Sequence, residues 1–328
     1  MRKWFSVFLM AVCGASAVRA QIDVRHCPAD AKWVMHLDVK ALSAAPMGRF
    51  IQKSLDAEAL RRMDALKAMS GIDLTNDVDS VVLCGKGGAQ AGGVMYASGR
   101  FDIAKLTAIA GGGKEFQNRV FGKRSLLSWS DHGKRTALCF VDPTLVVMSQ
   151  NEKQVEEAVD LIDGKKPGMG AEQGFAKVLA HDTGRFFSFQ ANNLEALAGS
   201  NPQFQLFKQA EAMLFELGQL EGANGIDCSL ALKAPNVEMA QQLNQAALGL
   251  QALVMLQAAQ NPDAAALAQG VKVALQDTVL TVNLKLPEET LKKMMQLQVA
   301  QREAAQAARQ AKREAAPDAA KQPERPAF

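Results

Sequence analysis

A single tyrosine, Tyr96, and four histidines serve 328 residues, and neither a Cys-x-x-Cys nor a Gly-x-Ser-x-Gly motif occurs. Without the first motif, a thioredoxin-type redox centre and a zinc knuckle lack their ligand spacing. Without the second, an α/β-hydrolase nucleophile lacks its strand-to-helix elbow. Net charge is also scarce. The formal +3 is supplied by Arg2, Lys3 and Arg19, and without them 34 basic residues face 34 acidic ones. A neutral, tyrosine-poor chain has no electrostatic footprint for nucleic acid or for an anionic membrane surface. The one long uncharged stretch, Met239 to Pro262, is interrupted by six glutamines and two asparagines. Each unpartnered amide in hydrocarbon costs ~1–3 kcal/mol, so the expectation is a helix packed on protein and no transmembrane anchor.

The N-terminus holds an export pattern. Arg2 and Lys3 form a positive n-region, Trp4 to Val12 an apolar h-region, and Val18-Arg19-Ala20 a cleavage site before Gln21. The h-region is shorter than the ~20 residues a permanent span needs. Cys13 follows Val12 where a lipidation signal calls for a small residue, so lipidation is not expected. Export would put Cys27, Cys84, Cys139 and Cys228 in an oxidising compartment, where four thiols allow three full pairings. Cys84 and Cys139 also sit in apolar strand-like runs, as free buried cysteines do, and both readings stay open.

Periodicity divides the remainder into an α+β chain of two similar halves and a tail: signal 1–20, first unit 21–165, second unit 166–299, and a helical extension ending in a disordered tail, 300–328. In the first unit Trp33, Met35, Leu37 and Val39 alternate as a strand. Two short helices follow, one opened by Pro46 and one carrying Leu60, Met63 and Leu66 up to Gly71. Strands are expected at Asp79 to Cys84, Gly92 to Ser98, Ser125 to Trp129, Thr136 to Phe140 and Leu145 to Ser149. Asp102 caps a helix to Ala110, and Ser149-Gln150-Asn151-Glu152 caps another to Ile162. In the second unit Arg185 to Phe189 reads as a strand, Pro202 to Leu217 as a helix with Phe207, Ala210, Leu214 and Leu217 on one face, and Gly225 to Leu232 as a strand. A long helix from Val237, a hairpin around Gln276-Asp277 and a helix opened by Pro287 complete it. Hairpins and paired helices, with no βαβ alternation, argue for mostly antiparallel strands. The order and spacing of Gly184 to Phe189 with Asn192 to Leu197 resemble those of Ala31 to His36 with Val39 to Leu42, which points to duplication.

Few residues suggest chemistry. His36 and Asp38, two apart on a strand, share a face, the arrangement of two metal ligands or of a base and its orienting carboxylate; His26 and Cys27 are the nearest further donors in sequence. Ser130-Asp131-His132 has the residue types of a hydrolase triad, but neighbours on a tight turn point apart. Gly111-Gly112-Gly113-Lys114 follows a helix instead of a strand, and Glu115 replaces the hydroxyl of a phosphate loop. The glycine-rich segment from Gly85 to Gly93 has no helix after it and reads as a hairpin loop. No catalytic, cofactor-binding or metal-binding residue is assigned on these grounds, and no cofactor is expected.

The runs Pro28-Ala29-Asp30-Ala31-Lys32-Trp33-Val34-Met35-His36-Leu37-Asp38, Gly71-Ile72-Asp73-Leu74 with Asp77-Val78-Asp79-Ser80-Val81, and Val155 to Lys165 resemble a set of exported bacterial proteins with no established activity. The resemblance covers most of the chain after the signal, and it implies export and duplication without a reaction. The expected role is a non-catalytic envelope binding or structural module, whose partner would be another envelope protein. The alternative is a secreted hydrolase or metal-dependent enzyme centred on His36 and Asp38.

Overall fold

The computed structural model describes residues 26–55, 57–87, 92–131, 133–169, 185–192, 210–222, 224–258 and 268–294, together with the single positions 194, 208, 265 and 296. The expected signal segment with Cys13 and the Ala20–Gln21 junction, His132, and the expected tail from residue 300 lie outside them, as do most of residues 193–209.

The fold is α+β, built on one twelve-stranded sheet in which every named pairing is antiparallel. In chain order the first part contributes β1 (Trp33–Asp38), α1 (Val39–Ala44), α2 (Pro46–Lys53), α3 (Ala57–Ser70), β2 (Val78–Gly85), β3 (Val94–Gly99), α4 (Ile103–Gly111), β4 (Lys114–Phe121), β5 (Arg124–Asp131), β6 (Lys134–Asp142), β7 (Leu145–Ser149) and α5 (Glu152–Ile162). The second contributes β8 (Arg185–Asn192), β9 (Ala212–Gln219), β10 (Gly225–Lys233), α6 (Val237–Ala258), β11 (Val271–Gln276) and β12 (Val279–Pro287). The strand order is β11-β12-β10-β9-β8-β1-β2-β3-β7-β6-β5-β4. Outward from the central β1–β8 pair, the sheet therefore reads β1-β2-β3-β7-β6 on one side and β8-β9-β10-β12-β11 on the other, the same progression twice. The β4–β5 hairpin extends the first.

Two local expectations are corrected and one strand is added. The stretch read as a helix through Leu217 contains β9 from Ala212 onward: Met213, Phe215 and Leu217 also alternate, and pairing with both β8 and β10 selects the extended form over the weak helical spacing. Lys114–Phe121, with few apolar residues, is an edge strand whose outer side needs none. Asp38 ends β1 instead of continuing it; its carboxylate accepts a hydrogen bond from Ala41 N at 2.7 Å and starts α1.

Residue parity assigns helices to faces. Val82, Tyr96, Val147, Cys139 and Leu126 form one cross-strand row. Each is 0–1% exposed beneath Val155, Ala158 and Val159 of α5. Their sequence neighbours face the other way, where α4 closes a cluster around Leu127, Phe140 and Val146. Over the second part, α6 packs Ala240 and Leu243 onto Ala191, Leu232 and Leu280. Trp33 pairs with Ala191 beside Leu37 and Phe187, so α6 sits on the same face as α1–α4. No helix among the described residues is long and apolar enough to cross a membrane.

Candidate functional site

The face opposite α5 carries an apolar cavity. Leu37, Val81, Ala97 and Val146 are register partners across β1, β2, β3 and β7, and Met95, Met148 and Leu138 form the next row. These two rows are the floor of a cavity of about 480 Å³. Its roof is made of short pieces: Val39 and Leu42 from α1, Ile51 from α2, Met63 from α3 and Leu106 from α4, with Ile72 and Leu74 in the loop before β2.

Local sequence explains why the roof does not close on the floor. A helix of six or eight residues, such as α1 or α2, turns once or twice and presents only a few apolar side chains. Pro46 forces the break between them by opening α2 at its first position. The two cross so tightly that a Cβ on Gly48 would overlap the Leu42 carbonyl oxygen. Only glycine lets the backbones approach at that point, which fixes the roof at a set height above the strands.

The rim is polar where the interior is not. Asp73, between the lining residues Ile72 and Leu74, accepts hydrogen bonds from Lys67 Nζ at 2.7 Å, Thr75 Oγ1 at 2.7 Å, Thr75 N at 3.1 Å and Asn76 Nδ2 at 3.0 Å. Its own N–H donates to Asp77 Oδ2 at 2.9 Å. The Lys67 ammonium first, then Thr75 and Asn76, hold the Asp73 carboxyl well below the usual carboxylate range. Across the loop, the Lys105 ammonium lies against the α-carbon of Gly71, next to Ile72. Inside, among the described residues, Ser43, Gln52 and Thr75 are the only polar side chains on the wall, and no Asp, Glu, Lys, Arg or His lines it. Such a wall can exclude water and hold an apolar group; it offers no side chain of the acid, base or metal-ligand kinds.

The residues singled out by sequence fall elsewhere. His36 is buried on the α5 side, paired in register with Val82 and Ser188, while the Asp38 carboxylate is engaged as the α1 cap. Leu37, between them, faces the cavity. Among the described residues no group of three or more His, Cys, Asp or Glu is placed to hold a metal ion. Ser130 donates to Glu115 Oε2 at 2.6 Å, and Gly112 to Lys114 form the turn from α4 into β4. The glycines at the β2–β3 turn serve packing: a Cβ on Gly85 would strike the Trp33 ring, whose Nε1 donates to Gly87 O at 2.7 Å.

A second, polar cleft lies at the start of α5. Arg119 pairs with Glu152 and Glu156, and Arg135 donates to Glu152 Oε1 from Nε at 2.8 Å and from Nη2 at 2.5 Å. The Arg135 guanidinium lowers the Glu152 carboxyl. These charges are mutually satisfied and tie α5 to β4 and β6. Periodicity named α5 but not its partners, which come from strands 17 to 37 residues away in sequence.

The cavity was missed by motif reading because its lining is spread from Leu37 to Met148 and has no distinctive residue type. The only forewarning was the run Gly71-Ile72-Asp73-Leu74, which proves to be its rim.

No protein-family model matches the chain, and no curated protein matches it. Among solved structures, crystal form III of TP0453 superposes with a TM-score of 0.51 at 12% identity, over 82% of this chain and 96% of that one. Crystal form I of the same protein gives 0.48 at 12% identity, over 85% and 98%. At such identity the likeness is one of fold, and the first of these supports the α+β architecture with its large antiparallel sheet.

Proposed function

We propose that this is an exported, non-catalytic binding module that holds the aliphatic chain of an amphiphile between the sheet and α1–α4. The observation that carries the reading is a cavity of about 480 Å³ lined, among the described residues, without a single charged side chain. Ligand pockets run to ~300–1,000 Å³ and are mostly apolar with few polar groups. Burying a methylene contributes ~0.8 kcal/mol, so a chain of ten carbons gains on the order of 8 kcal/mol before the cost of immobilisation is subtracted. Lys105 at the rim gives an anionic head group a cation that the interior lacks. Met63, Met95 and Met148 supply flexible, polarisable walls suited to chains of different length.

The export half of the reading is supported by the n-region, h-region and Ala20–Gln21 junction, and N-terminal sequencing of the protein recovered from the producing cell tests it. Internal duplication is supported by the repeated strand progression on either side of β1–β8 and by the sequence correspondence at the start of each half.

The binding half is tested with delipidated protein and a fluorescent fatty acid. Saturable binding is expected, displaced by unlabelled fatty acid. Ala97→Trp, which fills the cavity from its floor, should weaken it at least tenfold, and Lys105→Glu should weaken a fatty acid more than the corresponding fatty alcohol. Equal affinity of wild type and Ala97→Trp, both folded, would overturn the reading.

A further inference from the structure

Cys27, Cys84 and Cys139 are buried in one apolar cluster on the α5 side of the sheet. Strand order limits which of them can meet. Between Cys84 on β2 and Cys139 on β6 stand β3 and β7, three spacings or about 14 Å at ~4.8 Å each. A disulfide needs Cα atoms within about 7 Å. Cys228 on β10 is four spacings, about 19 Å, from Cys84.

Cys27 is the exception, because it lies in the turn that leads into β1. Ala31 N donates to Pro28 O at 3.0 Å, and Lys32 N donates to Gly85 O at 2.7 Å, so the turn is fastened to the residue beside Cys84. Tyr96 Oη donates to His26 O at 2.6 Å, which brings the phenol from β3 to the residue before Cys27. On β3, Tyr96 stands two residues from Val94, the register partner of Cys84, and the Cys84 and Cys27 thiols both act on its phenol. Burial first, then these two sulfurs, raise the Tyr96 hydroxyl well above its ordinary range. The surroundings of the other two cysteines are different. Burial, Arg124 and Asp163 act on Cys139, and burial, Asp227 and Arg185 on Cys228; each thiol is pushed up to about 11.

We propose that Cys27 and Cys84 are an oxidisable pair, joined as a disulfide when the chain folds in an oxidising compartment, while Cys139 and Cys228 stay as thiols. The oxidant is a small-molecule or protein disulfide. One cysteine thiolate attacks it and expels one reduced thiol, leaving a mixed disulfide. The second cysteine thiolate then attacks the protein-bound sulfur and expels the other. Two protons leave the cysteines, one S–S bond forms as another breaks, and the oxidant is reduced to two thiols. The link closes the chain from residue 27 to residue 84 and ties the entry segment to the sheet next to Tyr96.

The full chain carrying Cys13→Ser is refolded in reduced and oxidised glutathione, denatured without reductant, alkylated, digested and analysed by mass spectrometry. The expected product is a peptide containing Cys27 linked to one containing Cys84, with Cys139 and Cys228 alkylated; Cys84→Ser should abolish it. Should Cys84→Ser not fold, the chain with Cys139→Ala and Cys228→Ala must still form the link and must lose thermal stability on reduction. Alkylation of all four cysteines in the refolded protein, or a link from Cys27 or Cys84 to Cys139 or Cys228, overturns the proposal.

Discussion

The same strands bury their two faces in different ways. Val82, Tyr96 and Val147 are wholly buried beneath α5, whereas their sequence neighbours Val81, Met95 and Met148 are half-buried around open space beneath α1–α3. The strands are common to both, so the difference belongs to the cover. Helix α5 runs eleven residues without a break and lays Val155, Ala158, Val159 and Leu161 on the sheet as one stripe. Its ends are held by Asn151, which caps it, and by the Arg124–Asp163 pair at 2.7 Å. The opposite cover is cut at Ala45-Pro46 and again near Ser54, and fragments of that length leave a gap. A sheet presents apolar side chains on both faces; the continuity of the overlying helix decides whether a face becomes core or cavity.

The largest expected effect of breaking this contrast lies on the closed face. Leu126→Ala removes a fully buried side chain among neighbours that cannot collapse, and it should cost about 3 kcal/mol in urea unfolding, within the range of such truncations. Met95→Ala, one face over, truncates a half-buried side chain at an existing cavity and should cost about 2 kcal/mol, the low end of such truncations. Equal losses would mean that the two faces are packed alike.

Next in size is the roof. Gly48→Val places a branched side chain against the Leu42 carbonyl and must push α2 away from α1. The expected result is a drop of a few degrees in the thermal midpoint together with faster dissociation of a bound fatty acid. An unchanged dissociation rate would show that the α1–α2 crossing does not govern the cavity.

The smallest effect is at the rim and depends on pH. The folded Asp73 carboxyl is depressed, so its contribution is fully present above the ordinary carboxylate value of ~3.9 and is lost as pH falls through the lower folded value. Asp73→Asn should therefore lower the denaturation midpoint slightly at neutral pH, and the gap to wild type should narrow as pH drops below about 4. A gap constant from pH 7 to the acid transition would show that the Lys67 and Thr75 contacts do not depend on the Asp73 charge.

How far the sequence could be read differs by element. Alternation located β1, β2, β3 and the β11–β12 hairpin, and capping residues located α4 and α5, because both signals are local. The β9 segment was misread because Leu214 and Leu217 fit a helical spacing while Met213, Phe215 and Leu217 fit an extended one, and only β8 and β10 on either side decide between them. Of the candidate site, the loop Gly71 to Asp77 stood out as a pattern without a meaning. His36 and Asp38 stood out as a pair sharing a strand face, and the structure adds that the Asp38 carboxylate caps α1.

The amino-acid sequence by itself determined most of the elements, the neutrality of the chain beyond its first 20 residues, and the export pattern ending at Ala20, all of which depend on neighbours a few positions apart. Only the tertiary structure decided the strand order, the single continuous sheet, the neighbours of each cysteine and the cavity. Those depend on register between segments tens of residues apart, such as Leu37 with Val81 and Ala97 with Val146. Such pairings are chosen by the burial of whole faces, and a face has no signature in any short stretch of chain.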